Sequence, residues 1–541
     1  MMGRDGRRLR VGYVSSDFRK HAVGLMVQSM FGLHRRVEVF AYSLSPSDGS
    51  DRRLRIEREA EHFVDLTDPR QLNAGGNLQE AESFAASATV IARRIEMDGI
   101  DILIDLNGHS AGARMDVFAC HPAPLQVLHA ATFSVPSGAP FYDYIIVDPH
   151  ITNGNEHDRD KPSTWSPLVA PEARLVMPET FYVTSHTAIY GNDFDCPAAS
   201  SKRSLSAQLR QVATEEIRKQ RTQLKSTTTT VAAVAAATRA PTDFVFASFS
   251  QLYKIDPAMF DVWMGLLRSI PKSILVLVAP KNDNAALRAL RQRTKWSELE
   301  ATESRGDDET NNAGEDEGGA AEQESPVIAR LRAEAFTRGV HSHRIVFVPV
   351  LPHEQHLQRA CGIDLVLDTP NAYNGIMSTA DALFAGVPVL TGDWGETMTS
   401  RAASSLVRNS GSIDTRSREQ SVDGSGRSRV GGLNDCHVAP SAKQYEDYAR
   451  KLARKITTAR TKGVSKLNNP GNSGDRGGSG GDDDDNDDTI LARQRLEHTR
   501  SRSALFDTER YVEHLEDGFE SIAERYRRGL PPADTFVSKR P

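Results

Sequence analysis

The sequence of 541 residues lacks the features that would assign it to a membrane or secreted class. It has no apolar run of about eighteen residues, so no membrane-spanning helix is predicted. The basic N-terminus MMGRDGRRLR lacks the apolar segment of a secretory signal. The four cysteines are scattered without CxxC or CxxH spacing (Cys120, Cys196, Cys361 and Cys436). This predicts neither a zinc site nor a disulfide framework, and it fits a reducing compartment.

Three common functional signatures are also absent. No GxGxxG follows the first predicted strand, and no Walker A sequence occurs, which disfavours dehydrogenases and P-loop NTPases. No helical repeat with a period of about 34 residues is found. No basic stripe with interleaved aromatic residues occurs, so nucleic acid is not a predicted partner.

The formal net charge of −6 conceals an uneven distribution of charge. Residues 306–325 contain eight acidic residues and no basic one, and residues 482–488 contain six acidic residues and no basic one. The rest of the chain is therefore net basic. A net basic body suits an anionic ligand such as a nucleotide diphosphate.

Alternating strand and helix patterns predict an α/β fold. The near-continuous apolar runs are typical of parallel strands covered on both faces. The predicted strands are 9–15, 37–43, 101–107, 143–148, 244–249, 273–279, 344–350, 363–368 and 387–391. The predicted helices lie around 82–98, 257–269, 353–362, 376–386, 441–457 and 505–528.

Four low-complexity segments divide this pattern into domains. They lie at 197–240, 300–326, 409–433 and 460–489 and have no apolar face to bury, so they are predicted to be solvated insertions. The predicted domains are a first Rossmann-like half at 8–190, an insertion at 191–241, a second Rossmann-like half at 242–460 (with inserts near 300–326 and 409–433), an acidic insertion at 461–489 and a helical segment at 490–530.

In the second half, polar residues follow predicted strands, where parallel sheets bind ligands. Gln251 and Lys254 follow the strand FVFASF, and this lysine is placed either to meet a diphosphate or to lie exposed in a loop. His353, His356 and Arg359 open the helix after RIVFVPV, where they either hold phosphate and base or provide ordinary helix polarity.

A turn at Gly375 leads into a third polar cluster. Ser378 and Thr379 lie in the first turn of a predicted helix, either cradling a phosphate or capping the helix. Asp381, one turn further, is a candidate acceptor for ribose hydroxyls. The three clusters together favour a nucleotide site more than any one of them does.

In the first half, two histidines follow strands. His21 follows LRVGYVS, and His109 follows DILIDLN. A single histidine is more often structural, but two at strand ends could polarise an acceptor hydroxyl or orient a sugar.

Fifteen stretches together resemble the catalytic region of the O-GlcNAc transferase family. They are LRVGYVSSDF, His21, VFAYSLSPSDG, DGIDILIDLNGH, PAPLQ, SGAPFYDYIIVD, MPETFYV, SQLYKIDP, VPVLPHEQH, LDTP, YNG, LFAGVPVLT, GETMTSRAASSL, QYEDYARKL and SALFDTERYVEHLE. They cover most of residues 8–190, 244–408 and 436–530. The resemblance implies a GT-B fold, two Rossmann-like domains facing a cleft that holds the nucleotide sugar.

The resemblance also implies roles for the candidate residues. It implies inverting transfer from UDP-GlcNAc to Ser/Thr hydroxyls of cytoplasmic or nuclear proteins, without a metal, a membrane or nucleic acid. Lys254 would stabilise the leaving diphosphate and Gln251 would contact the nucleotide. The remaining implied roles are His356 on the diphosphate, Leu351, His353 and Arg359 at uracil, Asp381 on ribose, and His21 at the sugar and acceptor side. Ser378 and Thr379 as phosphate contacts and His109 as a catalytic residue stay candidates from their positions alone.

Two segments depart from the family pattern. Ile376 and Met377 stand where the family has a His-Thr-Thr run, and ATFSVPSG at 131–138 keeps only Pro136, Ser137 and Gly138 of a glycine-rich loop. Two alternatives therefore stay open: a SPINDLY-like protein O-fucosyltransferase that uses GDP-fucose, and a non-catalytic nucleotide-binding scaffold. A UDP-sugar epimerase is disfavoured by the motifs, and the oligomeric state is left open.

Overall fold

The structure, a computed structural model, contains two compact units. The first unit combines residues 1–194, 395–427 and 495–541, and the second combines residues 195–394 and 428–494. The described residues are 6–72, 87–129, 135–152, 171–192, 194, 244–279, 325–371, 373–411, 438–454, 500 and 503–540. The predicted insertions lie almost entirely outside these residues.

The first unit is built on an eight-stranded parallel sheet. Its strands are β1 (Leu9–Ser15), β2 (Val37–Ser43), β3 (His62–Asp65), β4 (Ile102–Asp105), β5 (Leu125–His129), β6 (Tyr144–Val147), β7 (Ala173–Val176) and β14 (Thr535–Phe536). They lie in the order β14-β7-β6-β5-β4-β1-β2-β3. The central strands β4, β5 and β6 are buried along their whole length, as expected for parallel strands covered on both faces.

The helices of the first unit are α1 (Ala22–Val27), α2 (Asp51–Glu59), α3 (Pro69–Leu72), α4 (Ala88–Met97), α5 (Met115–Ala119), α6 (His186–Tyr190), α11 (Met398–Asn409) and α12 (Thr508–Arg527). Several of them begin at a residue that caps the N-terminus. Ser50, Ser87 and Asp507 each accept a hydrogen bond from a backbone N–H in the first turn of α2, α4 and α12.

The second unit has a six-stranded parallel sheet in the order β10-β9-β8-β11-β12-β13. Trp263 on α7 is fully buried beside strand residues such as Phe246 and Leu277, so this helix forms part of the core. The strands are β8 (Phe244–Ser248), β9 (Ser273–Val278), β10 (Ile345–Val348), β11 (Leu365–Leu367), β12 (Val389–Gly392) and β13 (Val438–Ala439). The helices are α7 (Pro257–Ser269), α8 (Pro326–Thr337), α9 (His353–Ala360), α10 (Ile376–Phe384) and a segment at 442–454.

These two parallel sheets with flanking helices confirm the predicted α/β fold. None of the helices in the described part of the chain combines the length and hydrophobicity that crossing a membrane requires.

Helix α11 differs from the predicted domain boundaries. The range 242–460 placed it in the second half, but the structure groups it with the first unit. Arg401 Nε donates to the Ile151 carbonyl oxygen at 3.1 Å, and the Ser405 hydroxyl donates to the buried Asp148 carboxylate. Asn409 Nδ2 also donates to the Glu179 carbonyl oxygen at 3.0 Å. These bonds to the β6–α6 region hold α11 on the first unit.

The cysteines also differ in part from expectation. Cys120 is a free, exposed thiol. Cys361, which follows α9, is disulfide-bonded, although the spacing of the four cysteines indicates no disulfide framework.

Candidate functional site

The polar residues that follow β8, β10 and β11 lie at one edge of the second unit's sheet. Strands β8, β9, β10, β11 and β12 are all parallel, so their carboxyl ends share that edge. Gln251 is exposed there, and Leu351 is partly exposed after β10.

Lys254 lies at the end of the short 3₁₀ turn Leu252–Lys254, just after β8. Its ammonium donates to the Asn374 carbonyl oxygen at 2.7 Å. Burial lowers the pKa of Lys254, and the negative charge of Asp368 opposes that change. The lysine is therefore a largely buried cation held at the strand ends by the turn that precedes α10.

Asp368 was not singled out in the sequence, although it directly follows the buried strand β11. Its carboxylate is 2% exposed and accepts from Asn374 Nδ2 and Thr391 Oγ1, each at 2.6 Å, and from the Gly375 N–H at 2.9 Å. Burial raises the pKa of Asp368, against the effect of these bonds and of Lys254. A carboxylate at the end of a buried strand was the signal that could have identified it.

The Gly375 turn leads directly into α10. Ser378 Oγ donates to the Gly375 carbonyl oxygen at 3.1 Å, and the Thr379 N–H donates to the same oxygen at 2.8 Å. Ser378 is partly exposed, whereas Thr379 is only 2% exposed. Of the two predicted hydroxyls, Ser378 is therefore the one better placed to meet a ligand.

His353, His356 and Asp381 converge between α9 and α10. His353 Nε2 lies 2.8 Å from Asp381 Oδ1, and His356 Nε2 lies 3.5 Å from Asp381 Oδ2. Asp381 is 4% exposed.

Arg359 lies behind this cluster and orients His356. Arg359 Nη2 donates to His356 Nδ1 at 2.8 Å and Nη1 donates to the Pro349 carbonyl oxygen at 2.6 Å. Because arginine can only donate, Nδ1 is the acceptor, and neutral His356 carries its proton on Nε2. Arg359 is 2% exposed, packs against the Phe249 ring, and burial lowers its pKa to about 9. Its effect on a ligand would therefore pass through His356.

In the first unit, His21 and His109 follow the adjacent parallel strands β1 and β4. His21 caps α1, with Nδ1 accepting from the Val23 N–H at 3.3 Å and lying 3.4 Å from Asp17 Oδ2. Asn107 Nδ2 donates to the same Asp17 oxygen at 3.0 Å, which joins the ends of both strands.

His109 is exposed and contacts part of the atypical loop. Its Nε2 lies 3.2 Å from the Pro136 carbonyl oxygen, so this nitrogen donates. The Ser137 N–H donates to the buried Glu172 carboxylate at 2.6 Å. Residues 131–134 of the predicted loop lie outside the described residues.

The amino-acid sequence is similar to that of a known protein family and to those of individual known proteins. The model of glycosyl transferase family 41 matches residues 1–194, 195–299 and 325–423. The chain is 31% identical to the probable UDP-N-acetylglucosamine–peptide N-acetylglucosaminyltransferase SEC of Arabidopsis thaliana, over 97% of this chain and 38% of that protein. It is 26% identical to the UDP-N-acetylglucosamine–peptide N-acetylglucosaminyltransferase of Caenorhabditis elegans, over 97% of this chain and 42% of that protein. The chain thus spans about two fifths of the length of these relatives.

The fold also resembles that of a solved structure. A variant of the Thermobaculum terrenum O-GlcNAc transferase superposes with a TM-score of 0.61 at 20% sequence identity, covering 97% of this chain and 69% of that one. At this identity the likeness concerns the fold.

Proposed function

The chain belongs to glycosyl transferase family 41, and from this premise we propose that it transfers N-acetylglucosamine from UDP-GlcNAc to serine and threonine hydroxyls of proteins. The names of two relatives, from Arabidopsis thaliana and Caenorhabditis elegans, describe transfer of N-acetylglucosamine to peptides. The observation that carries the proposal is the largely buried Lys254 ammonium, held 2.7 Å from the Asn374 carbonyl oxygen at the strand ends.

In the proposed reaction, the bond between the sugar C1 and the β-phosphate oxygen breaks, and its electron pair leaves with UDP. The acceptor oxygen forms a new bond to C1 from the opposite face, which inverts the configuration, and its proton passes to a base. Lys254 stabilises the negative charge that develops on the leaving diphosphate. A preorganised charge in a largely buried position is effective in this role.

The remaining residues of this edge would bind the donor. The Ser378 hydroxyl and the His356 Nε2–H are donors suited to the diphosphate oxygens. Asp381 would accept from the ribose hydroxyls, and Gln251 is exposed beside the Lys254 turn. Leu351 and His353 would contact the uracil, with Arg359 holding His356 from behind. Thr379, whose side chain is buried, would contribute to the site through its backbone in the first turn of α10.

We assign His21 and His109 of the first unit to the sugar and acceptor. His21 contacts Asp17, which can steady the ring as it takes up or releases a proton. His109 carries an Nε2–H and is exposed. Replacing either residue with alanine should lower kcat for peptide transfer more than it weakens UDP binding.

Because Lys254 supplies the positive charge, the proposed reaction needs no metal. Transfer should therefore persist in EDTA, and dependence on an added divalent cation would contradict this part of the proposal. The cytoplasm and the nucleus stay the predicted compartments, which imaging of a fluorescent fusion would check.

The direct test replaces Lys254 with alanine. We expect kcat for transfer from UDP-GlcNAc to a serine peptide to fall about 10²–10³-fold, as when a charge-stabilising donor is removed. Lys272→Ala is the matched control, because Lys272 precedes β9 at the opposite edge of the sheet. A Lys254→Ala variant that transfers sugar as well as wild type would refute the mechanism.

A GDP-sugar donor is the second candidate, because Ile376 and Met377 begin α10 where the family pattern has hydroxyl and imidazole groups. Calorimetry with UDP and GDP separates the two donors, and we expect tighter binding of UDP. Preference for GDP would favour a fucosyltransferase. Failure to bind either nucleotide would favour a scaffold protein.

A further inference from the structure

Building on the proposed role of Lys254, we propose that Asp368 is a positioning residue, whose buried carboxylate fixes the turn that presents the Asn374 carbonyl to Lys254 and keeps a negative charge behind the ammonium. Asp368 acts on Lys254 through Asn374 and through its charge.

Asp368 holds the turn before α10 through direct hydrogen bonds. Asp368 accepts from the Asn374 side chain at 2.6 Å and from the Gly375 N–H at 2.9 Å, so it binds both residues that follow the turn. Thr391 on the adjacent strand β12 donates to the same carboxylate at 2.6 Å and fixes its orientation. The Asn374 carbonyl that receives the Lys254 ammonium is therefore set by Asp368.

The charge of Asp368 also affects the protonation of Lys254. Burial lowers the pKa of Lys254, which favours the neutral amine that cannot stabilise a diphosphate. The negative charge of Asp368 acts in the opposite direction and favours the ammonium. A neutral side chain that formed the same hydrogen bonds to the turn would not favour the ammonium form of Lys254.

The other titratable groups around the turn have separate roles. Tyr445 donates to the Asp368 carbonyl oxygen at 3.0 Å, and burial raises its pKa well above the usual value, so it stays neutral. Asp256 caps α7 by accepting from the Met259 N–H at 2.9 Å. Within the described residues, Asp368 is the charged group whose field acts on Lys254.

The test is the pH dependence of kcat/KM for UDP-GlcNAc in Asp368→Asn. Without the carboxylate charge, Lys254 should lose its proton at lower pH, so the alkaline decline of kcat/KM should move to lower pH. A move of one pH unit lowers kcat/KM about tenfold on the alkaline side. A purely structural role would lower stability without moving this decline.

Asp364→Asn is the matched control. Asp364 is a buried carboxylate at the amino end of the same strand β11, where it accepts from the Val245 N–H at 2.8 Å. We expect the alkaline decline of kcat/KM in Asp364→Asn to occur at the same pH as in wild type. A folded Asp368→Asn variant with an unmoved decline would overturn the inference, as would an equal move in Asp364→Asn.

A second pair of variants tests the inference if Asp368→Asn does not fold. Thr391→Val removes one donor to Asp368 without changing any charge, and Thr391→Ser retains the hydroxyl. We expect kcat to fall several-fold in Thr391→Val and to stay close to the wild-type value in Thr391→Ser. The melting temperature of both variants shows whether they are folded. Wild-type kcat in a folded Thr391→Val variant would overturn the inference.

The result for Lys254→Ala separates this inference from the proposed function. If Lys254→Ala transfers sugar normally, the proposed function fails. If Lys254→Ala is inactive and both Asp368→Asn and Thr391→Val behave as wild type, only the role of Asp368 fails.

Discussion

Gly375 illustrates how single residues limit the shape of the candidate site. Its φ of −86° is ordinary for any residue, so the glycine is not required by the backbone conformation. A Cβ atom at this position would lie 2.2 Å from Ser250 Oγ and 2.3 Å from Ser378 Oγ. The glycine is needed because these two hydroxyls occupy the space beside it.

Replacing Gly375 with alanine should therefore disturb Ser378. We expect UDP binding to weaken by about tenfold, with a loss of about 1–3 kcal/mol in unfolding free energy from overpacking. Calorimetry and urea denaturation measure the two effects.

The control for this variant is Gly32→Ala, whose Cβ would meet Glu59 only at ordinary contact distances of 3.5 Å or more. It should change neither quantity. Unaltered UDP affinity in Gly375→Ala would exclude Ser378 from the donor site.

At the scale of elements, helix α12 depends on a buried carboxylate. Glu516 Oε1 accepts from the backbone N–H groups of Arg35 at 2.9 Å and Arg36 at 3.0 Å, and Oε2 accepts from Arg36 Nε at 2.9 Å. Burial opposes ionisation, but these bonds and the contact with His34 outweigh it and lower the pKa of Glu516 to about 2. The charge thus fastens α12 to the segment before β2.

Replacing Glu516 with glutamine should cost about 1–3 kcal/mol of unfolding free energy near neutral pH, because buried donors lose a charged acceptor. Since the folded pKa is lowered from 4.5 to about 2, the contribution of the carboxylate is complete above pH 4.5 and is lost as the pH falls toward 2. The difference between wild type and variant should therefore shrink over that range in urea denaturation.

Glu520→Gln on the same helix is the control, because the Glu520 side chain is 51% exposed. It should cost well below about 1 kcal/mol. If Glu516→Gln were equally mild at neutral pH, the attachment of α12 would rest on its apolar contacts alone.

At the scale of the whole molecule, each unit contains a histidine whose burial disfavours protonation of its ring. Burial lowers the pKa of His129 in the first unit and of His343 in the second from 6.5 to about 4. His129 Nε2 lies 2.8 Å from the Tyr511 hydroxyl on α12. Unfolding exposes both rings to water, where they take up protons at higher pH.

Both units should therefore lose stability between pH 6.5 and about 4. The folded pKa is lowered, so the unfolded state binds more protons in this range and stability falls as pH falls. His129→Gln should reduce the slope of unfolding free energy against pH by up to about 1.4 kcal/mol per pH unit. Urea denaturation at several pH values tests this.

The exposed His109 provides the comparison for His129. The slope of unfolding free energy against pH should be lower in His129→Gln than in His109→Gln. An unchanged slope in His129→Gln would mean that the buried ring is protonated in the folded protein.

Local sequence determined much of the fold. Strands β1 and β2 begin and end at the predicted residues 9–15 and 37–43, and α7 at 257–269, because continuous apolar runs and an Asp-Pro helix start are local signals. The strands β3, β5 and β7 were missed, since each has only four or five residues and contains polar side chains. Short elements of this kind form because neighbouring strands supply their hydrogen bonds.

The sequence by itself also predicted that Lys254, His356 and Asp381 lie at one edge of the second unit's sheet, since polar residues after buried parallel strands share that edge. Only the tertiary structure decided that Asp368 and Thr391, on adjacent strands and 23 residues apart, share a hydrogen bond behind Lys254. It alone assigned α11 to the first unit and placed Arg359 in the interior. These features depend on which residues, far apart in the sequence, come into contact and become buried. No local sequence pattern encodes those contacts.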